Sequence, residues 1–132
     1  MSDKARLDPE LVCEFVGKSH GDLDHVRKML QAQPRLVNAA WDWGGGDWET
    51  GLGAAAHVGR RDIALFLIAE GARMDIFAAA MLGHLEIVRA TLEIFPDAWK
   101  WPGPHGIPLL KHAEAGGEPA AHVAEYLRTR LL

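Results

Sequence analysis

Three kinds of residue in this sequence stand where they could do chemistry: tryptophans, histidines, and carboxylates around a triple glycine. All five tryptophans fall in two short segments, Trp41, Trp43 and Trp48 in the first and Trp99 and Trp101 in the second. Trp41-Asp42-Trp43 and Trp99-Lys100-Trp101 share a W-x-W pattern. On an extended strand that spacing puts both rings on one side. Gly44-Gly45-Gly46 supplies a turn between Trp43 and Trp48. Tryptophan offers large contact area and is enriched at binding hot spots, so the clustering suits an aromatic contact surface. It equally suits a satellite core in which the two segments stack on each other. Asp42, Asp47 and Glu49 lie in the same loop. Paired carboxylates can do acid/base work, but solvated charge on a projecting loop is the expected state.

The seven histidines are His20, His25, His57, His84, His105, His112 and His122. No pair has HExxH or CxxC…HxxxH spacing, so no metal signature is present and no cofactor is expected. His57 and His112 are expected to be separate surface or hydrogen-bonding residues. GxSxG, a Walker loop and a dinucleotide fingerprint are all missing. The triple glycine runs into Asp47-Trp48 with no lysine or Ser/Thr, which makes a poor phosphate cradle. The sequence thus points to a protein that is not an enzyme.

The elements that position these residues come from a repeat. Glycines 21, 59, 83 and 116 each open a similar segment: a polar step, then apolar residues at helical spacing. In the third segment Leu85, Val88 and Leu92 fall at i, i+3 and i+7. Upstream of two of these glycines lie runs of small residues, Ala54-Ala55-Ala56 and Ala78-Ala79-Ala80, which let one helix sit close to its neighbours. Such helix–turn–helix units bury their apolar faces only by stacking. The spacing predicts helices near 9–19, 22–32, 50–58, 60–70, 75–82, 84–94, 107–115 and 119–131. Asp8-Pro9 and Asp75 read as helix starts.

Gly83-His84-Leu85-Glu86-Ile87-Val88 resembles the usual start of the second helix of an ankyrin repeat. Thr50-Gly51-Leu52-Gly53-Ala54-Ala55 resembles the Thr-Pro-Leu-His-x-Ala opening of the first helix, with glycine for proline and histidine. Ile107-Pro108-Leu109-Leu110 resembles it again without the threonine, and Glu70-Gly71-Ala72 looks like the closing turn. The chain is therefore similar to small bacterial-type ankyrin-repeat proteins over roughly residues 10–132. The resemblance implies an all-α helix-turn-helix solenoid with short hairpin fingers. It would form one domain with repeats at about 9–49, 50–74, 75–106 and 107–132. The junction glycines are 38, 24 and 33 residues apart, against a family period of about 33. The short interval predicts no hairpin between Gly71 and Asp75, and the long one leaves room for an enlarged finger.

Ankyrin proteins usually meet partners with finger tips and the exposed side of the first helices. The resemblance puts His20, His57, Met81 and Glu114, beside the junction glycines, on that groove face. Trp43, Asp47, Trp48, Glu49 and Trp101 would lie on the fingers, with Trp41 the most buried of the first three tryptophans. The expectation is a non-catalytic module binding an unidentified protein partner, as a monomer or with weak self-association. The alternative is a small-molecule or catalytic site in an aromatic pocket between the fingers. A net charge of −4 gives neither a nucleic-acid footprint nor attraction to anionic lipid. The hydrophobic share of 48% argues for a folded chain. The lone Cys13, in an apolar run, excludes an intrachain disulfide and suggests a buried, inert thiol. With no signal-peptide core and no span-length apolar stretch, a cytoplasmic location is expected.

Overall fold

Apolar residues at helical spacing form eight α-helices in the computed structural model, which describes residues 5–130. They are α1 (Pro9–Lys18), α2 (Leu23–Ala32), α3 (Gly51–His57), α4 (Arg61–Ala69), α5 (Ile76–Leu82), α6 (Leu85–Ile94), α7 (Leu109–Ala115) and α8 (Ala121–Arg130). The predicted closing helix reached 131; Leu131 and Leu132, like residues 1–4, lie outside the described residues. Four of these helices begin on a side-chain cap, of which the sequence pointed to Asp8 and Asp75. Asp8 accepts from the Glu10 N–H, Asp22 from that of His25, Thr50 from that of Gly53 and Asp75 from that of Ala78, each satisfying an otherwise orphaned donor.

Consecutive helices pair, and the first members of the pairs pack in a row. Helix α3 lies against α1 and α5, and α5 lies against α3 and α7. The alanine runs make this possible: Ala54–Ala56 and Ala78–Ala80 are fully buried. Around Phe15, Leu52, Ile63 and Leu67 one apolar cluster forms, and around Val88, Leu92, Leu109 and Leu127 a second. Leu92 is fully enclosed. Leu92→Ala should therefore destabilise the chain by about 2–5 kcal/mol, read as a lower melting temperature; an unchanged melt would mean that Leu92 does not sit in the core.

Two strands, β1 (Ala40–Asp42) and β2 (Trp48–Thr50), pair antiparallel with Trp41 opposite Glu49 and Asp42 opposite Trp48. The second W-x-W does not follow suit. Ala98–Lys100 is a 3-10 turn, closed by bonds from the Lys100 N–H to the Asp97 carbonyl and from the Trp101 N–H to the Ala98 carbonyl. Pro102 and Pro104 lack the N–H groups a ladder would need. Its rings do not stack on the first finger; Trp101 packs against Phe95 instead. Ala72–Asp75 contains no strand. There Asn38 clamps the connection, donating to the Gly71 carbonyl and accepting from the Arg73 N–H. Cys13 is half-buried rather than enclosed. Among the described residues no helix is long and apolar enough to cross a membrane.

Candidate functional site

The finger is closed by its own aspartate. Asp42 accepts from the backbone N–H groups of Gly44 and Gly46, holding a turn in which Gly44, Gly45 and Gly46 all have positive φ. From there β2 runs straight into the Thr50 cap of α3. Successive residues of a strand face opposite ways. On β2 that alternation turns Trp48 outward, 62% exposed, and Glu49 inward, 1% exposed.

Three histidines meet Glu49 beneath the finger. His20 follows the end of α1, and His57 is the last residue of α3. Because α1 and α3 pack side by side, their ends bring the two imidazoles to 5.0 Å between ring centroids. His105 comes from the Pro104–Gly106 3-10 turn, and its ring lies 5.2 Å from that of His57. Asp47 latches that turn to the finger. Its carboxylate accepts the His105 backbone N–H at 2.7 Å and meets His105 Nδ1 at 2.7 Å. All three Nε2 atoms approach the same carboxylate. His20 and His105 lie 3.3 and 3.4 Å from Glu49 Oε1, and His57 lies 3.1 Å from Oε2. Trp43 Nε1–H donates to Oε1 at 2.8 Å. His105 holds φ 60°, ψ 20°, the one positive φ outside glycine among the described residues. Such strain persists only where surrounding contacts over-determine it, and it clusters at working sites.

The electrostatics follow from this packing. Burial pushes Glu49 up, but the polar contacts from His20, His57 and Trp43 outweigh it and hold the carboxyl at about 2. The bond to Glu49 raises His20 above the ordinary imidazole value, against the opposing effect of burial. The His105 backbone N–H lowers Asp47. With protons on the rings the cluster is a carboxylate–imidazolium network. With the protons removed, four donor atoms lie within 4.8 Å of one another. A cavity of about 740 Å³ adjoins it, walled by Trp48, Asp75, Phe77, Pro104 and His105.

The residues named from sequence have different fates. Trp43, Trp48 and Trp101 are exposed, and Trp41 packs against the core. Met81 is fully buried, because α5 is flanked by α3 and α7 and leaves its end no free face. Glu49 is no solvated finger charge, for the strand alternation already given. Asp47 is committed to His105, and the side chain of His57, 14% exposed, turns into the cluster. Glu114 remains on the surface, paired with Arg128 at 3.0 Å. His112 is buried, bonded through Nδ1 to the Pro108 carbonyl and packed on Phe77. His20 was placed on the groove face and His105 was assigned no role. One signal was available for the first: His20 and His57 end equivalent first helices, so the repeat register itself brings them together. No family model matches this chain, and no curated protein matches it.

Proposed function

We propose that this chain is an ankyrin-type, non-catalytic binding module that takes a protein partner at its finger end. Trp48 carries the reading. It is a large apolar side chain, 62% exposed, on a hairpin fixed by Asp42 and by the Asp47–His105 latch. An ordered, solvent-facing tryptophan loses little conformational freedom on binding and buries much area, which is what a hot-spot anchor needs. The row of helix pairs, the junction glycines and the projecting hairpin support the ankyrin reading, with repeats at about 9–49, 50–74, 75–106 and 107–132. The partner-facing set is Trp48 with Trp43 and Trp101, at 41% and 43% exposure. Buried Met81 and Glu49 drop out of it.

Trp48→Ala should keep the helical circular dichroism and melting temperature while weakening capture of the partner by at least about 30-fold, the equivalent of about 2 kcal/mol. The measurement is a pull-down from the native host followed by titration of the recovered protein. Undiminished capture would remove Trp48 from the contact surface. The cavity beside Trp48 and His105 favours a second reading, a small-molecule site. A ligand seated there would change Trp48 emission with no protein partner present.

A further inference from the structure

We propose that His20, His57, His105 and Glu49 form a binding site for a divalent transition-metal ion, zinc foremost. The claim stands apart from the partner-binding reading, and each can fail without the other.

The first ground is the direction of the donor atoms. All three imidazoles present Nε2 to one carboxylate, at 3.3 Å for His20, 3.1 Å for His57 and 3.4 Å for His105. Zinc bonds to histidine and carboxylate are about 2.0–2.2 Å, so two ligands at a tetrahedral angle stand roughly 3.3–3.5 Å apart. The His57 Nε2–Glu49 Oε2 separation is close to that spacing, and one donor atom from each of the four residues lies within 4.8 Å of the others.

The second ground is what holds the outer sides of the ligands. His20 Nδ1 meets the Gly17 carbonyl at 3.0 Å, and His105 Nδ1 meets Asp47 at 2.7 Å. A carbonyl or carboxylate on one ring nitrogen fixes the proton there and leaves the Nε2 lone pair for a metal. Trp43 Nε1–H does the equivalent for Glu49, occupying Oε1 and orienting the carboxylate. These are the supports that metal ligands ordinarily carry behind them.

The third ground is a pair of unsatisfied atoms. Glu49 Oε2 and His57 Nε2 are both buried and neither has a hydrogen-bond partner, although they are 3.1 Å apart. They are close but misaligned for a shared proton. Buried polar atoms without partners are rare and call for a reason, and a cation between them would take both lone pairs.

The donor chemistry selects the class of ion. Three imidazoles with one carboxylate suit zinc and its first-row neighbours. Calcium and magnesium prefer oxygen ligands. The ligands come from the turn after α1, from β2, from the end of α3 and from the Pro104–Gly106 turn, so one ion would tie the finger to two helix ends and a distant loop.

The test uses the full chain freed of metal by a chelator, then titrated with zinc alone and cobalt(II) alone. One ion per chain is expected, with a raised melting temperature for zinc and the visible absorption of four-coordinate cobalt. X-ray absorption of the zinc-loaded wild type should show only nitrogen and oxygen neighbours with imidazole scattering, a readout that needs no variant. Asp47→Asn should weaken binding by about 10–100-fold, and His57→Ala should abolish the stoichiometric site. Should His57→Ala fail to fold, as judged by circular dichroism, His57→Gln replaces it. The proposal is overturned if the folded wild type takes up neither ion, or if the folded His57 variant and Asp47→Asn both bind with unchanged affinity and the ion sits on other surface groups.

Discussion

Glu49→Gln, in metal-free protein, should lower stability by about 3 kcal/mol near pH 5.5 and flatten its response to acid. Glutamine keeps an acceptor for the Trp43 N–H and loses only the charge. The size follows from linkage: the carboxyl falls from 4.5 to about 2 on folding, and each unit corresponds to about 1.36 kcal/mol. A lowered carboxylate contributes stability that is complete above its unfolded value and lost as pH falls through the folded one. That loss lies between pH 4.5 and about 2. His20 has the opposite sign. Its raised value makes its share complete below the ordinary 6.5 and lost as pH climbs through the folded value. The melting temperature of the wild type should therefore peak between pH 4.5 and 6.5, and that peak should be shallower in the variant. Thermal melts from pH 2 to 8 in the presence of a chelator decide it. Matching profiles for the two proteins would mean that the buried charge contributes nothing to the fold.

The same residues show which parts of the molecule were readable in the sequence. Leu85, Val88 and Leu92 place a helix by spacing alone, and α6 is there from Leu85 to Ile94. Asp75 reads as a cap and is one. These features depend on neighbours within a turn or two. The His/Glu cluster does not: its members stand at 20, 49, 57 and 105, a spacing that matches no ligand motif. It exists because stacked helices put equivalent ends side by side and because Asp47 pulls in a loop 58 residues away. Glu49 was misread because loop carboxylates are usually solvated, yet the outward Trp48 already required its strand neighbour to face in. His105 was harder still. In Pro104-His105-Gly106 a positive φ would be assigned to the glycine alone, whereas both residues adopt it. Met81 was placed on an open groove because the tight approach of α7 to α5 is a property of the stack and of no local pattern.

Gly83→Ala should destabilise the chain by about 2–5 kcal/mol, against about 1–2 kcal/mol for Gly45→Ala. Both glycines have positive φ, 85° and 65°, so both variants carry the left-handed backbone penalty of a side-chain-bearing residue. Only Gly83 adds a collision. A Cβ there would stand 2.3 Å from the Pro119 carbonyl oxygen, while at Gly45 it would meet open space. The obstacle is backbone, so no rotamer change relieves it, and the turn after α5 must move away from the turn before α8. Gly59 repeats the arrangement against the Ala115 carbonyl at 2.4 Å, so Gly59→Ala should behave like Gly83→Ala. Gly59 and Gly83 thus serve twice, as turns between paired helices and as the contact between successive pairs. Urea unfolding separates the terms: the midpoint should fall much further for the two junction variants than for Gly45→Ala, with similar slopes. In melts the junction variants should drop by on the order of 10 °C. Equal losses at Gly45 and Gly83 would mean that the turns of neighbouring helix pairs do not touch and that backbone conformation alone sets the requirement for glycine.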